Sequence, residues 1–153
     1  MNISNELSIV IPLYNQEITV LDTLESIFSQ TRRPAEIIVI DAGSSDAGAD
    51  KVREIYGDRV RVIHTYRRSV DEIKNLGMRI ANCIFVGFAD ANKRFSPCFL
   101  EKLEKRIAGH LQSREGEDPT FTGEFSKEPG NTFLSSFTES CGFHSPQAVA
   151  FAH

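Results

Sequence analysis

Two short runs, Leu7-Ser-Ile-Val-Ile-Pro-Leu13 and Glu36-Ile-Ile-Val-Ile40, are apolar at consecutive rather than alternate positions. A strand with one wet face alternates, whereas a run apolar almost throughout suits a strand covered on both faces, as in a parallel sheet. Between the runs, Val20, Leu21, Leu24, Ile27 and Phe28 recur at helical spacing, and Pro34 closes the connection. The unit is strand, helix, strand, the crossover that parallel strands require.

The alternation continues along the chain. Ser45 and Asp46 offer N-cap oxygens to a helix carrying Val52 and Ile55 and stopping near Gly57, and Val60 to Ile63 reads as a third strand. Ser69-Val-Asp-Glu72 is a capping box, opening a helix with Val70, Ile73, Leu76 and Ile80 on one face. Cys83 to Ala89 is the fourth strand. Ser96-Pro97 then places a capping hydroxyl before a first-position proline, ahead of the stripe Phe99, Leu100, Leu103 and Ile107. The expected fold is a three-layer α/β domain, a mostly parallel sheet with helices on both faces. After about residue 110 the pattern changes: Gln112 to Asn131 is rich in Gly, Pro, Ser and Glu, with Pro119 to Phe125 as its plausible strand. Two parts are expected, 1–110 as a ligand-binding half and 111–153 as an incomplete segment rather than an independent domain.

Composition narrows the function. A chain of 153 residues can bury a real core. A net charge of -4 and a pI near 5.6 argue against nucleic acid held by an extended basic surface. No apolar run approaches the roughly 18 residues of a membrane span, and Met1 to Glu6 lacks a signal-peptide layout, so a cytoplasmic location is expected. Cys83, Cys98 and Cys141 are odd in number and widely spaced, which does not suit a disulfide framework. Cys141 and His144 have a Cys-x-x-His spacing without the second ligand pair of a structural zinc site.

In an open parallel sheet, ligands bind at the carboxyl ends of the strands where connections reverse. Those ends read Pro12-Leu-Tyr14-Asn15, Asp41-Ala-Gly43-Ser-Ser-Asp46 and Asp90-Ala-Asn92. Neither a P-loop nor the three-glycine dinucleotide turn is present. Asp41 and Asp90 suit hydrogen bonding to a base or sugar, although strand-end acids also serve simply as caps.

Taken together, SIVIPLYNQ, SIFSQT, EIIVIDAGSSD, KNLGMRIA and FADAN occur in the order and at the intervals of family 2 glycosyltransferases with the GT-A fold, which this chain resembles from Leu7 to about Leu103. The resemblance implies a donor site for a nucleotide diphosphate sugar, often a UDP sugar. It implies Tyr14 packing on the base, with Pro12 and Asn15 beside it, Asp41 bonding the base, Gly43 in the second-strand motif and Lys74 facing base or diphosphate. It implies a metal-binding Asp-x-Asp whose first acid is Asp90. Asn92 departs from the pattern at the second acid, so Mn²⁺ or Mg²⁺ is expected to bind with the nucleotide and poorly alone.

The family continues with an acidic segment that supplies the general base, and this chain stops at His153. His144 and Glu139 lie nearest in sequence, and neither fills that position. The resemblance further implies transfer to a sugar or lipid-linked acceptor in polysaccharide assembly, peripheral to a membrane if the acceptor is there. Completion of the core by a second copy, as a homo-oligomer, stays open. So does the alternative of a catalytically silent nucleotide- or partner-binding remnant.

Overall fold

The computed structural model describes residues 3–66, 69–113, 125–128, 131–133 and 149–152. In chain order the elements are β1 (Leu7–Leu13), α1 (Glu17–Phe28), β2 (Glu36–Asp41), α2 (Gly48–Tyr56), β3 (Arg61–His64), α3 (Val70–Ile80), β4 (Phe85–Ala89) and α4 (Phe99–Ser113). β5 (Phe125–Glu128), β6 (Asn131–Phe133) and β7 (Val149–Ala152) follow. One parallel sheet has the order β3-β2-β1-β4-β7, and β5 pairs with β6 in a separate antiparallel ladder. The α/β class and the parallel sheet agree with the sequence reading.

The apolar runs sort by the two-residue period of a strand. Leu7, Ile9, Ile11 and Leu13 of β1 join Ile37 and Val39 of β2 under α1, α2 and α4, through Leu24, Val52 and Leu100 among others. Val10 faces the other way with Ile38, Ile40, Val86 and Phe88, under Ile73 of α3. Helices therefore cover both faces. Each fully buried aliphatic side chain, such as Val10, Ile11 or Ile38, contributes about 1.5–3 kcal/mol.

On the α3 side the contact is unusually close. A Cβ placed on Gly77 would lie 2.6 Å from Val10 Cγ1, so only a hydrogen fits between helix and strand. The apolar stripe of α3 begins at Ile73, not Val70, which is 57% exposed where the first helical turn runs past the sheet. Ile55 is likewise outside the core. Tyr56 takes its place in the buried seam of α2, stacked on Phe28 with ring centroids 4.9 Å apart.

Helix starts differ most from the sequence reading. The Ser69–Glu72 capping box forms as expected. α2, however, begins at Gly48 behind Ala47, with no cap from Ser45. Asp46 instead serves two helices at once: Oδ1 accepts the Gly48 N–H at 3.1 Å and Oδ2 accepts the Glu17 N–H of α1 at 2.9 Å. α4 starts at Phe99 rather than Pro97. The Ser96 carbonyl, not its hydroxyl, accepts the Phe99 N–H, and Oε1 of buried Gln30 accepts the Leu100 N–H. The third strand is shifted one residue, to end on His64, and the fourth starts at Phe85 rather than Cys83. Within Pro119 to Phe125 only Phe125 is described, and it opens β5. Cys141, His144 and Glu139 lie outside the described residues.

At the amino ends of the strands, Glu36 gathers several partners. Its carboxylate accepts from the Ser8 hydroxyl at 2.6 Å, the Asn82 N–H at 2.9 Å and the Asn82 side chain at 2.7 Å, with Arg61 3.6 Å away. Burial pushes its pKa up, but the bonds from Asn82 and Ser8 and the charge of Arg61 outweigh it and hold the group below its ordinary value.

Two predictions follow from these contacts. Gly77→Ala forces Val10 to shift and should lower unfolding free energy by about 1–3 kcal/mol, read in urea melts. An unchanged midpoint would mean that the helix moves away freely. For Glu36 the depressed pKa means that the unfolded chain binds the proton more tightly. The resulting stability is present above the ordinary carboxylate pKa and is lost as pH falls through the lower folded value. Glu36→Gln should flatten that acid limb in melting temperature against pH. A limb as steep as wild type would assign it elsewhere.

Candidate functional site

The chain runs from β1 to β2 to β3 in one direction, then crosses back to place β4 on the other side of β1. That reversal opens a crevice at the carboxyl end of β1, the place where such sheets take ligands. A cavity of about 460 Å³ lies there. Pro12 and Tyr14 line it from β1 and its following turn, Ala42 from the end of β2, Ser69, Val70 and Ile73 from the start of α3, and Asp90 and Asn92 from the end of β4. Four of the residues expected from the sequence, Pro12, Tyr14, Asp90 and Asn92, thus share one cavity.

Its walls are mixed in character. The Tyr14 ring is 45% exposed and Val70 is also open to solvent, so an aromatic face and an aliphatic lip flank the opening. Asp90 is half-buried and Asn92 exposed. An amphipathic ring beside a carboxylate is a surface suited to a flat heterocycle joined to a polyhydroxylated group.

The other four expected residues are placed differently. Asn15 has φ 50°, a left-handed conformation that Asn tolerates better than most residues. Its side-chain oxygen accepts from the Ser45 N–H at 2.8 Å and the Ser45 hydroxyl at 3.2 Å, and its own N–H donates to the Ser44 hydroxyl at 3.0 Å. It ties the first strand-end turn to the second. Gly43, at φ 81°, supplies the turn that brings the Ser44 N–H back to Asp41 Oδ1 at 3.0 Å. Lys74 is half-buried, its Nζ 6.0 Å from the centroid of Phe88, and is not among the residues lining the cavity.

Asp41 is buried at the end of β2, 4% exposed. Its Oδ2 lies 2.9 Å from Nδ1 of His64, the residue in register with it on β3. Burial pushes the Asp41 carboxyl up, but the Ser44 hydroxyl, His64 and the Ser44 N–H outweigh it and hold it below its ordinary range. The sequence reading missed His64. The signal available was weak: a strand-end histidine one residue past the expected strand, with its partner on another strand. At the starts of α1 and α2, Glu17 Oε2 accepts the Ala47 N–H at 3.3 Å and Glu17 pairs with Lys51, reinforcing the bridge made by Asp46.

For a cation, Asp90 and Asn92 supply one carboxylate and one amide oxygen. Among the described residues no group of three or more His, Cys, Asp or Glu side chains could hold a metal ion. This set fits Mg²⁺ or Mn²⁺ in the manner in which such ions bind through one or two protein oxygens, with phosphate and water completing the shell.

Against known proteins, the model for glycosyl transferase family 2 matches residues 8–113. An uncharacterized glycosyltransferase of Escherichia coli, YibD, is 33% identical over 106 residues, covering 67% of this chain and 30% of the relative. Among solved structures, S. aureus TarS 1-349 in complex with UDP-GlcNAc superposes with TM-score 0.62 at 24% identity, over 69% of this chain and 32% of that one. A mannosyltransferase of Pyrobaculum calidifontis in complex with GDP-Man and Mn²⁺ gives TM-score 0.60 at 20% identity, over 81% of this chain and 36% of that one. The match thus spans about a third of the length of each of these three proteins. No helix among the described residues is long and apolar enough to cross a membrane. The matched family model covers the whole strand–helix array that builds the crevice, and the chain belongs to glycosyl transferase family 2.

Proposed function

We propose that this chain forms the donor-binding half of a sugar transferase and binds a nucleotide diphosphate sugar in the crevice above β1. The observation that carries the reading is the convergence of Tyr14, Asp90 and Asn92 on one cavity at the point where the strand order reverses. The fold-level neighbours bound to UDP-GlcNAc and to GDP-Man with Mn²⁺ support a nucleotide sugar as the ligand class. Membership of family 2 supports sugar transfer as the reaction, and we read the donor as UDP-linked.

In this reading Tyr14 offers its ring to the base, Asp90 takes hydroxyl hydrogens of the ribose, and the wall of Ala42, Val70 and Ile73 keeps water from one side of the nucleotide. Asp90 and Asn92 are the residues that would hold a Mg²⁺ or Mn²⁺ ion, and the chemistry such an ion would supply there is Lewis-acid stabilisation of the departing phosphate charge. Sugar transfer then consists of attack by an acceptor hydroxyl on the anomeric carbon as the bond to the diphosphate breaks. The protein's share is to align the leaving group and keep the pocket dry. No general base is assigned for the acceptor's proton. The acceptor class proposed is a sugar or a lipid-linked sugar of polysaccharide assembly. The use of Asn92 where the motif carries an acid favours a second reading, a nucleotide-binding module without turnover.

Calorimetric titration with UDP and UDP-glucose, with and without Mn²⁺, tests the site. Binding should strengthen with Mn²⁺, while Mn²⁺ alone binds weakly. Asp90→Ala should lose at least about tenfold in affinity, and Asn92→Asp, which adds a charge for the ion, should gain about tenfold in the Mn²⁺-dependent part. No heat with any nucleotide from a folded sample would overturn the reading. Hydrolysis or transfer of the sugar by the Asn92→Asp variant but not by wild type would favour the silent module.

A further inference from the structure

Asp41 and His64 end neighbouring strands in direct register, yet they meet solvent very differently. The Asp41 side chain is 6% exposed, and the imidazole bonded to it is 47% exposed. Both carboxylate oxygens are engaged within the protein, Oδ1 by the Ser44 N–H and Oδ2 by His64 Nδ1. An ionised carboxylate can only accept, so Nδ1 must carry the hydrogen. In the neutral ring Nε2 is then left with its lone pair, and among the described residues it has no hydrogen-bond partner. With the ring neutral, this part of the carboxyl edge offers a ligand an imidazole acceptor, with the acid behind it as the group that sets the tautomer.

We propose that His64 is the nucleobase reader of the donor site: with the ring neutral, Nε2 accepts the ring N–H of an imide or lactam base, as in uracil or guanine, and Asp41 fixes the tautomer in which Nε2 is the acceptor. The inference rests on the nucleotide-sugar reading above. Position selects the base rather than the sugar or phosphates. His64 ends β3 and Asp90 follows β4, three strand spacings apart in the sheet, roughly 14 Å at about 4.8 Å per spacing. A nucleoside diphosphate laid across the strand ends, with its diphosphate at Asp90 and Asn92, brings its base towards β2 and β3. Chemistry selects the class of base. A neutral lone pair has nothing to offer a phosphate oxygen, itself an acceptor, whereas a ring N–H satisfies it. Cytosine and adenine carry an acceptor nitrogen in the corresponding ring position, which would leave two lone pairs facing one another. A site built around one donor rejects an analogue lacking it because the polar groups are left unpaired. The same separation argues against His64 as a base for the acceptor hydroxyl, since the sugar bond breaks beyond the diphosphate.

The test is a titration panel of UDP, GDP, CDP, ADP and N3-methyl-UDP at pH 8 with Mn²⁺, on wild type, His64→Ala and His64→Gln, with thermal melts confirming folding. Wild type should bind UDP or GDP at least about tenfold more tightly than CDP, ADP and N3-methyl-UDP. His64→Ala should bring the ratio of UDP to N3-methyl-UDP close to one by losing UDP affinity, with CDP affinity unchanged. His64→Gln, which retains an acceptor oxygen, should recover part of the preference. A folded His64→Ala protein that still separates UDP from N3-methyl-UDP as wild type does would overturn this assignment and leave the nucleotide reading standing. Failure of wild type to bind any nucleoside diphosphate would overturn both.

Discussion

The structure depends on β1 having a parallel partner on each side and a helical layer over each face. Its register with β2 runs from Ser8 opposite Glu36 to Leu13 opposite Asp41, and with β4 from Leu7 opposite Phe85 to Val10 opposite Phe88. A strand so enclosed cannot slip by one residue, because that would exchange the side chains destined for the two cores. With β2 on one side and β4 on the other, successive strands cannot all be added in one direction across the sheet. The chain must turn back, and the gap left by that reversal is the cavity between Tyr14 and Asp90. Core and site are products of the same arrangement.

Behind the residues that line the gap, hydrogen bonds link the strand-end turns into a rim. Asn15 joins Ser45, Ser44 joins Asp41, Asp41 joins His64, and Asp46 joins the first turns of α1 and α2. The strand-end turns of β1 and β2 are thus cross-linked by hydrogen bonds before any ligand arrives, which lowers the ordering cost of binding. Asn15, Gly43 and Asp46 shape the rim, while Pro12, Tyr14 and Asp90 face the space it encloses.

What was legible in the sequence follows from the range of the forces involved. Burial on both faces leaves its mark in the nearly unbroken apolar runs of LSIVIPL and EIIVI, so strands and their parallel pairing could be read locally. The Ser69–Glu72 box was legible because donor and acceptor are three residues apart. The start of α4 was not, because its cap oxygen comes from Gln30, 70 residues away in the chain. Asp46 looked like a local cap and proved to be shared with α1. Val70 carried the right period for the core, but the sheet ends before it. His64 was hidden because its meaning lies in a partner on the adjacent strand, and Gly77 because its sequence says nothing of Val10 beneath it.

The near contact of Gly77 with Val10 has a mechanical meaning for the rim. α3 is pressed to β1 at its seventh residue after Val70, while its first turn carries Ser69 and Val70 over the crevice. With a rise of about 1.5 Å per residue, the fulcrum lies roughly 10 Å from that lip. A tilt about that contact would displace the lip more than the end of the helix beyond Gly77, because the arm towards Val70 is the longer one. The glycine that brings helix and strand together also makes the helix a lever, with its long arm over the mouth of the site.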